Sequence, residues 1–296
     1  MNAHEELVRR AVERGGLTVL LGGLDTGKTS LARAIADAAL AAGKSVGYVD
    51  ADVGQSTVGP PTTVGLRVCR SPQDMTTASL VKADHLSFVG STSPQGHLLA
   101  LAVGTRLMVE RARQDGADMV IVDTTGLVTG VYAQILKYHK LTLLQPDLVV
   151  GLERGGELEP LLGIVRRFSA AEMVTLPVHT DVVPTSVEQR AANREQAMAS
   201  YFSEPLQRWR VKPTVFMPSL PALFDLSALD HLVVGLSDGK GGCLGVGYLE
   251  HLPDEGALRL ISPSSEGPKA LILGSVRLED GFRARRVDLR NLFGSD

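Results

Sequence analysis

Apolar positions along this chain follow two regimes. Up to about residue 202, short unbroken apolar runs alternate with segments whose apolar residues recur at helical spacing. Leu7, Val8, Ala11 and Val12 predict a short helix over 4–14, stopped at Gly15-Gly16. LTVLLGG then reads as a buried strand entering a glycine turn, and TSLARAIADAALAAGK as an Ala/Leu-rich helix stopped at Gly43. SVGYVDAD predicts a second strand, and HLSFV a third after the Pro-rich Gly59-Pro60-Pro61 connection. LLALAVGTRLMVERARQDG predicts a helix, and DMVIVDTTG and PDLVVGLE two further strands. Near-continuous Val/Ile/Leu strands between helices mark a parallel sheet covered on both faces.

Residues 186–202, SVEQRAANREQAMASYF, predict a polar helix with arginines four apart. After Pro205 the helical period fades. KPTVFMP, HLVVGLSD, CLGVGYLEHL and KALILGSVRL, punctuated by Gly, Pro and Asp, predict a small, mainly antiparallel β domain.

Composition narrows the class without naming it. The 296 residues are 44% hydrophobic and 21% charged with a formal charge of −3, which excludes a histone-like nucleic-acid binder but leaves room for a local basic groove. The 22 arginines outnumber the 8 lysines. Cys69 and Cys243 show no CxxC spacing, which argues against a zinc site or a disulfide framework and fits a reducing compartment. No apolar run approaches the roughly 20 residues a membrane-spanning helix needs. The expectation is a soluble cytoplasmic protein with no membrane partner.

The strongest chemical signal is Gly22-Gly23-Leu24-Asp25-Thr26-Gly27-Lys28-Thr29, a complete G-x-x-x-x-G-K-[ST] between a strand and a helix, with Ser30 following. Backbone N–H groups of such a loop wrap phosphates, Lys28 would bridge the β- and γ-phosphates, and the Thr29 hydroxyl would ligate Mg²⁺. This predicts a P-loop fold binding ATP or another NTP. Asp50 and Asp52 end the second strand, where a carboxylate can reach the γ-phosphate region. Asp123 ends the apolar run Met119–Val122, as a metal-side acid would, and opens a D-x-x-G with Thr124, Thr125 and Gly126. Asp52 and Asp123 are therefore rival metal carboxylates. Arg190 and Arg194 share a helix face that could clamp a transferring phosphoryl group; a solvated face paired with Glu188 and Glu195 is the plainer reading.

Five segments in this order resemble the polynucleotide 5′-hydroxyl kinases: GGLDTGKTS, YVDADVGQSTVGPPTTVGL, FVGSTSPQGH, VIVDTTGLVTG and the S-x-x-x-R-x-x-x-R run from Ser186 to Phe202. That group includes the RNA-kinase subunit of pre-mRNA cleavage factor, rRNA-processing kinases, and archaeal and bacterial relatives. The resemblance spans roughly residues 17–250. It implies transfer of the ATP γ-phosphate to a 5′-OH end of RNA or DNA. It implies that Asp52 is the metal-associated residue activating the 5′-OH, that Arg190 and Arg194 are lid arginines, and that Gln55 and Thr124-Thr125-Gly126 lie at the acceptor. The family's clasp reads T-x-G-W; here Leu127 replaces the tryptophan, which in relatives stacks on a base. The P-loop opens at residue 22, so the N-terminal β domain of larger relatives is expected to be absent.

The expected layout is a helical segment over 1–14, a P-loop domain over 15–204 with a lid at about 184–203, and a β domain over 205–296. Rival functions are a dimeric NTPase switch of the ParA or signal-recognition type, a small-metabolite kinase, and a silent ATP-binding scaffold. The chain lacks an N-K-x-D for guanine, and Gly22-Gly23-Leu24 stands where many ParA-type switches carry an extra lysine.

Overall fold

The strands of the computed structural model, which describes residues 3–293, join into one sheet of 14; residues 1–2 and 294–296, ends of the expected 1–14 and 205–296 segments, lie outside the described residues. In chain order the strands are β1 (Gly16–Gly22), β2 (Val46–Ala51), β3 (Thr63–Cys69), β4 (His85–Phe88), β5 (Met119–Thr124), β6 (Leu148–Glu153) and β7 (Glu172–Pro177). The later ones are β8 (Gln207–Val211), β9 (Phe216–Met217), β10 (Leu232–Ser237), β11 (Cys243–Leu252), β12 (Ala257–Ser262), β13 (Ala270–Glu279) and β14 (Arg283–Arg286). The helices are α1 (Ala3–Arg14), α2 (Lys28–Ala41), α3 (Thr77–Leu80), α4 (Leu98–Gln114), α5 (Gly130–Leu144), α6 (Glu159–Phe168), α7 (Val187–Tyr201) and α8 (Leu289–Phe293).

Five strands, in the order β2-β5-β1-β6-β7, are mutually parallel, as the buried Val/Ile/Leu runs require. The sheet is mixed rather than wholly parallel. β3 pairs antiparallel with β2, and β4 with β3. The connections over 52–62 and 70–84 hold no helix longer than four-residue α3, so neither builds the crossover that a parallel neighbour needs. A single pair, Cys243 beside Leu86, then carries the sheet from β4 into β11 and the C-terminal strands.

Two apolar layers sandwich the parallel strands. On one face Leu7, Ala11 and Ile35 of α1 and α2 pack on Leu20, Tyr48 and Ile121. On the other, Leu101, Leu136 and Leu162 of α4, α5 and α6 pack on Leu17, Val49 and Val122. The C-terminal strands enclose a separate cluster including Leu232, Val234, Leu260 and Leu271, against which Trp209 packs as an anchor. Phe88, Met198, Phe202 and Val246 form a fourth cluster, which fastens the end of α7 to those strands.

Candidate active site

β1 delivers the chain to Gly22, and the phosphate loop turns into α2 at Gly27, whose φ of +84° is a left-handed conformation that favours glycine. Unpaired N–H groups at the start of α2 face this loop. Lys28 is buried, and its Nζ donates to the Gly23 carbonyl at 2.6 Å. Burial pulls the Lys28 pKa below its ordinary value, against the opposing attraction of Asp123, Asp52 and Asp25. An arriving triphosphate supplies the anion this ammonium lacks.

The parallel register sets Asp50 beside Asp123 on adjacent strands. Burial raises both pKa values above the carboxylate range, and for Asp50 the charge of Asp123 adds to the rise. Their surroundings give them different work. Asp50 accepts from the backbone N–H groups of Asp52 (2.9 Å), Val58 (3.1 Å) and Thr57, so it ties down the 52–58 loop. It therefore does not face the phosphate region that the sequence opened to it. Asp123 Oδ2 accepts the Thr29 hydroxyl at 2.5 Å, while its buried Oδ1 has no hydrogen-bond partner among the described residues. Asp52 lies at the pocket rim, its Oδ1 fixed by the N–H groups of Gly54 (3.0 Å) and Gln55 (3.2 Å).

A pocket of about 400 Å³ gathers Lys28, Thr29, Asp52, Gln55, Asp25 and Arg190. Thr29, the orphaned Asp123 oxygen and the nearby Asp52 supply hard oxygen donors beside the phosphate loop. They fit a Mg²⁺ that takes one or two carboxylates and fills its other positions with phosphate oxygens and water.

Helix α7 starts at Ser186, whose hydroxyl accepts the Gln189 N–H at 3.1 Å. Arg190 points inward: its Nη1 donates to Asp25 Oδ2 at 3.0 Å and to the Thr185 carbonyl at 2.6 Å. Gln55 Nε2 donates to the Arg190 carbonyl at 3.0 Å, so the Gln55 amide is engaged with the lid. Arg194 lies instead in an adjoining cleft with Gly54, Gln55, Ser56 and Pro61. The two arginines thus flank Gln55 rather than share one cavity. At its other end α7 is fixed by buried Met198 and by Tyr201, whose hydroxyl accepts the Val246 N–H at 2.9 Å.

The turn after β5 departs from expectation in one respect. The Thr124 hydroxyl, expected at the acceptor, is fully buried: it donates to the Leu20 carbonyl at 2.7 Å and accepts from Lys137 Nζ at 2.8 Å. The fold, not a substrate, uses that side chain. Gly126 stands where an added Cβ would lie 2.8 Å from the Leu24 backbone nitrogen, so the turn rests directly on the phosphate loop. Leu127 packs against the α4–α6 core.

Two contributors escaped the sequence reading. Arg154, just past β6, donates to the carbonyls of Leu24 (3.2 Å) and Asp25, bracing the loop from the opposite side. Its position at the carboxyl end of a parallel strand beside β1 was the available signal. The second is a largely apolar cavity of about 680 Å³ between α1 and α2, lined by Val8, Val12, Leu31 and Ala34. It shares Thr26, Gly27, Ser30 and Val182 with the phosphate pocket.

Comparison with known proteins agrees with this geometry. The sequence profile described as the mRNA cleavage and polyadenylation factor CLP1 P-loop matches residues 22–204. The chain is 29% identical over 316 residues to a polyribonucleotide 5′-hydroxyl-kinase of Thermococcus kodakarensis, spanning 88% of both chains. It is 29% identical to one from Methanocaldococcus jannaschii, spanning 84% of this chain and 82% of the relative. Among solved structures, Clp1p in its wild-type complex with Pcf11p superposes with a TM-score of 0.72 at 16% identity, over 93% of this chain and 77% of that one, a likeness of fold.

Proposed function

The chain belongs to the mRNA cleavage and polyadenylation factor CLP1 P-loop family, and from that premise we propose that it is an ATP-dependent polynucleotide 5′-hydroxyl kinase. One observation carries the reading. Asp52 and Arg190 line the same pocket as Lys28 and Thr29, so a phosphate loop, an acid and an arginine converge on one small volume.

In this reading the triphosphate lies along residues 22–30 and the nucleoside enters the apolar cavity walled by α1. The acceptor 5′-OH donates its proton to Asp52 as its oxygen attacks the γ-phosphorus, and the bond to the β–γ bridging oxygen breaks in line. Lys28 and Arg190 stabilise charge on the transferring oxygens, and Arg194 faces the acceptor side of Gln55. Thr29, Asp123 and Asp52 would hold Mg²⁺, which supplies charge neutralisation at the β- and γ-phosphates. The acceptor is the 5′-OH end of RNA or DNA.

The test is incubation of the protein with γ-labelled ATP and a 5′-OH oligoribonucleotide, a 5′-OH oligodeoxyribonucleotide, or no acceptor. Label on either oligonucleotide is expected. Phosphate release with no labelled product would point to an NTPase switch instead.

A further inference from the structure

Helix α5 buries two lysines of the parallel-strand core, Lys137 and Lys140, each 1% exposed. Neither has a carboxylate within ion-pair distance among the described residues. Burying an ammonium is costly unless it is bonded, and the two lysines differ in this respect. Lys140 Nζ has no hydrogen-bond partner among the described residues. Lys137 Nζ donates to Thr124 Oγ1 at 2.8 Å and to the Thr125 carbonyl at 3.0 Å.

Those acceptors are not incidental. Thr124 and Thr125 begin the turn that ends with Gly126 pressed on Leu24 of the phosphate loop. Through the Thr124 hydroxyl the same network reaches the Leu20 carbonyl on β1, two residues before Gly22. In the sheet β5 runs between β1 and β2, so this turn lies between the phosphate loop and the loop carrying Asp52.

We infer that Lys137 is a positioning residue for the acceptor: through its two donated hydrogen bonds its amino group holds the 124–126 turn at the height where a 5′-OH end can meet the γ-phosphate. The inference rests on the kinase reading above. It assigns to a fully buried side chain a kinetic role that core filling alone does not require. Methionine at 137 fills a similar volume but releases both acceptors, so the turn loses its anchor while the phosphate loop keeps Lys28, Thr29 and Arg154.

The experiment compares full-length Lys137→Met, Lys137→Gln and Lys140→Met with wild type. It measures kcat and KM for a 5′-OH oligonucleotide and the Kd for ATP. Lys137→Met should lower acceptor kcat/KM by about tenfold or more, the scale of losing two hydrogen bonds, with ATP Kd within about twofold. Lys137→Gln, which keeps a donor, should recover part of the loss. Lys140→Met should behave as wild type. If Lys137→Met does not fold, the same constants are read on Lys137→Gln, where a loss confined to the acceptor supports the role. Wild-type acceptor kinetics in the 137 variants, an equal loss of ATP affinity, or equal damage from Lys140→Met would overturn it. A wild-type protein that labels no 5′-OH acceptor would instead sink the kinase reading itself.

Discussion

Replacing Lys140 by methionine should stabilise the protein, and the gain should shrink as pH rises. Its ammonium is buried without a hydrogen-bond partner among the described residues. Burial pulls its pKa from 10.5 to about 7, overcoming the attraction of Asp52, Asp50 and Asp123. In the unfolded chain the same lysine keeps its proton up to about pH 10.4. Between those values the unfolded state binds more protons than the folded one, so wild-type stability gains from this group as pH rises. The penalty is therefore full at pH 7 and below and fades toward 10.5. At about 1.4 kcal/mol per pH unit, it is about 3 kcal/mol at pH 8. Methionine carries no charge to desolvate, and such replacements of buried ions gain about 1–4 kcal/mol in other proteins. Guanidinium unfolding of wild type and Lys140→Met at pH 7, 8 and 9 reads the difference directly. The gap should be widest at pH 7 and close by about 1.4 kcal/mol per unit. A variant less stable than wild type at pH 7, or a gap that widens with pH, would refute the reasoning.

The site makes four further claims. Asp52→Asn should cut turnover by about 10²-fold or more, the scale of a lost general base, with ATP still bound; Asp123→Asn should be milder, because the amide oxygen can still accept from Thr29, and the opposite ranking in kcat would reverse the two roles. Gly126→Ala should cost about 1–3 kcal/mol of overpacking against Leu24, read by calorimetry as ATP affinity weakened roughly tenfold; unchanged affinity would mean the loop yields freely. Arg190→Lys should lower kcat more than it weakens ATP binding, since lysine keeps the charge but loses the planar fork suited to phosphoryl oxygens, and Arg194→Lys should be the gentler change; wild-type turnover in both returns these arginines to surface duty. Asp50→Asn should lower stability by about 1–3 kcal/mol in a denaturant titration, because its amide N–H₂ would confront backbone donors now aimed at a carboxylate. A neutral result would show that the 52–58 loop is held by other contacts.

The phosphate loop was legible because its chemistry demands a fixed spacing that nothing else imitates. The parallel strands were legible because burial on both faces leaves continuous apolar runs. Helix α5 was not, and the reason is physical: Lys137 and Lys140 interrupt the stripe that Ala133, Leu136, Leu141 and Leu144 would otherwise make plain. β3 and β7 were missed as well; β7 is a half-exposed edge strand with weak apolar patterning. At the site, Lys28 and Thr29 stand out from local pattern, whereas pattern alone left Asp52 and Asp123 as rivals and only the family resemblance chose between them. The division of labour between Asp50 and Asp123 was not, since it depends on which backbone donors the folded loops bring to each carboxylate. Nor could helical spacing reveal that Arg190 and Arg194 would fall on opposite sides of Gln55.

The contacts also show why the unspecified positions of the phosphate motif matter. The motif fixes glycines, lysine and threonine but leaves Leu24 and Asp25 free. In this chain those two residues receive three neighbouring elements of the site. Gly126 rests on the Leu24 backbone, Arg154 donates to the carbonyls of both, and Asp25 accepts Arg190 and the Thr185 N–H from the lid. Asp25 does so at a φ of +51°, a left-handed conformation that aspartate and asparagine adopt more readily than most residues with a side chain. The 124–126 turn, the start of α7 and the β6 end thus all meet at two residues of the phosphate loop. In the proposed kinase reading, that convergence sets the elements around both substrates on one loop, the fixed orientation that group transfer requires.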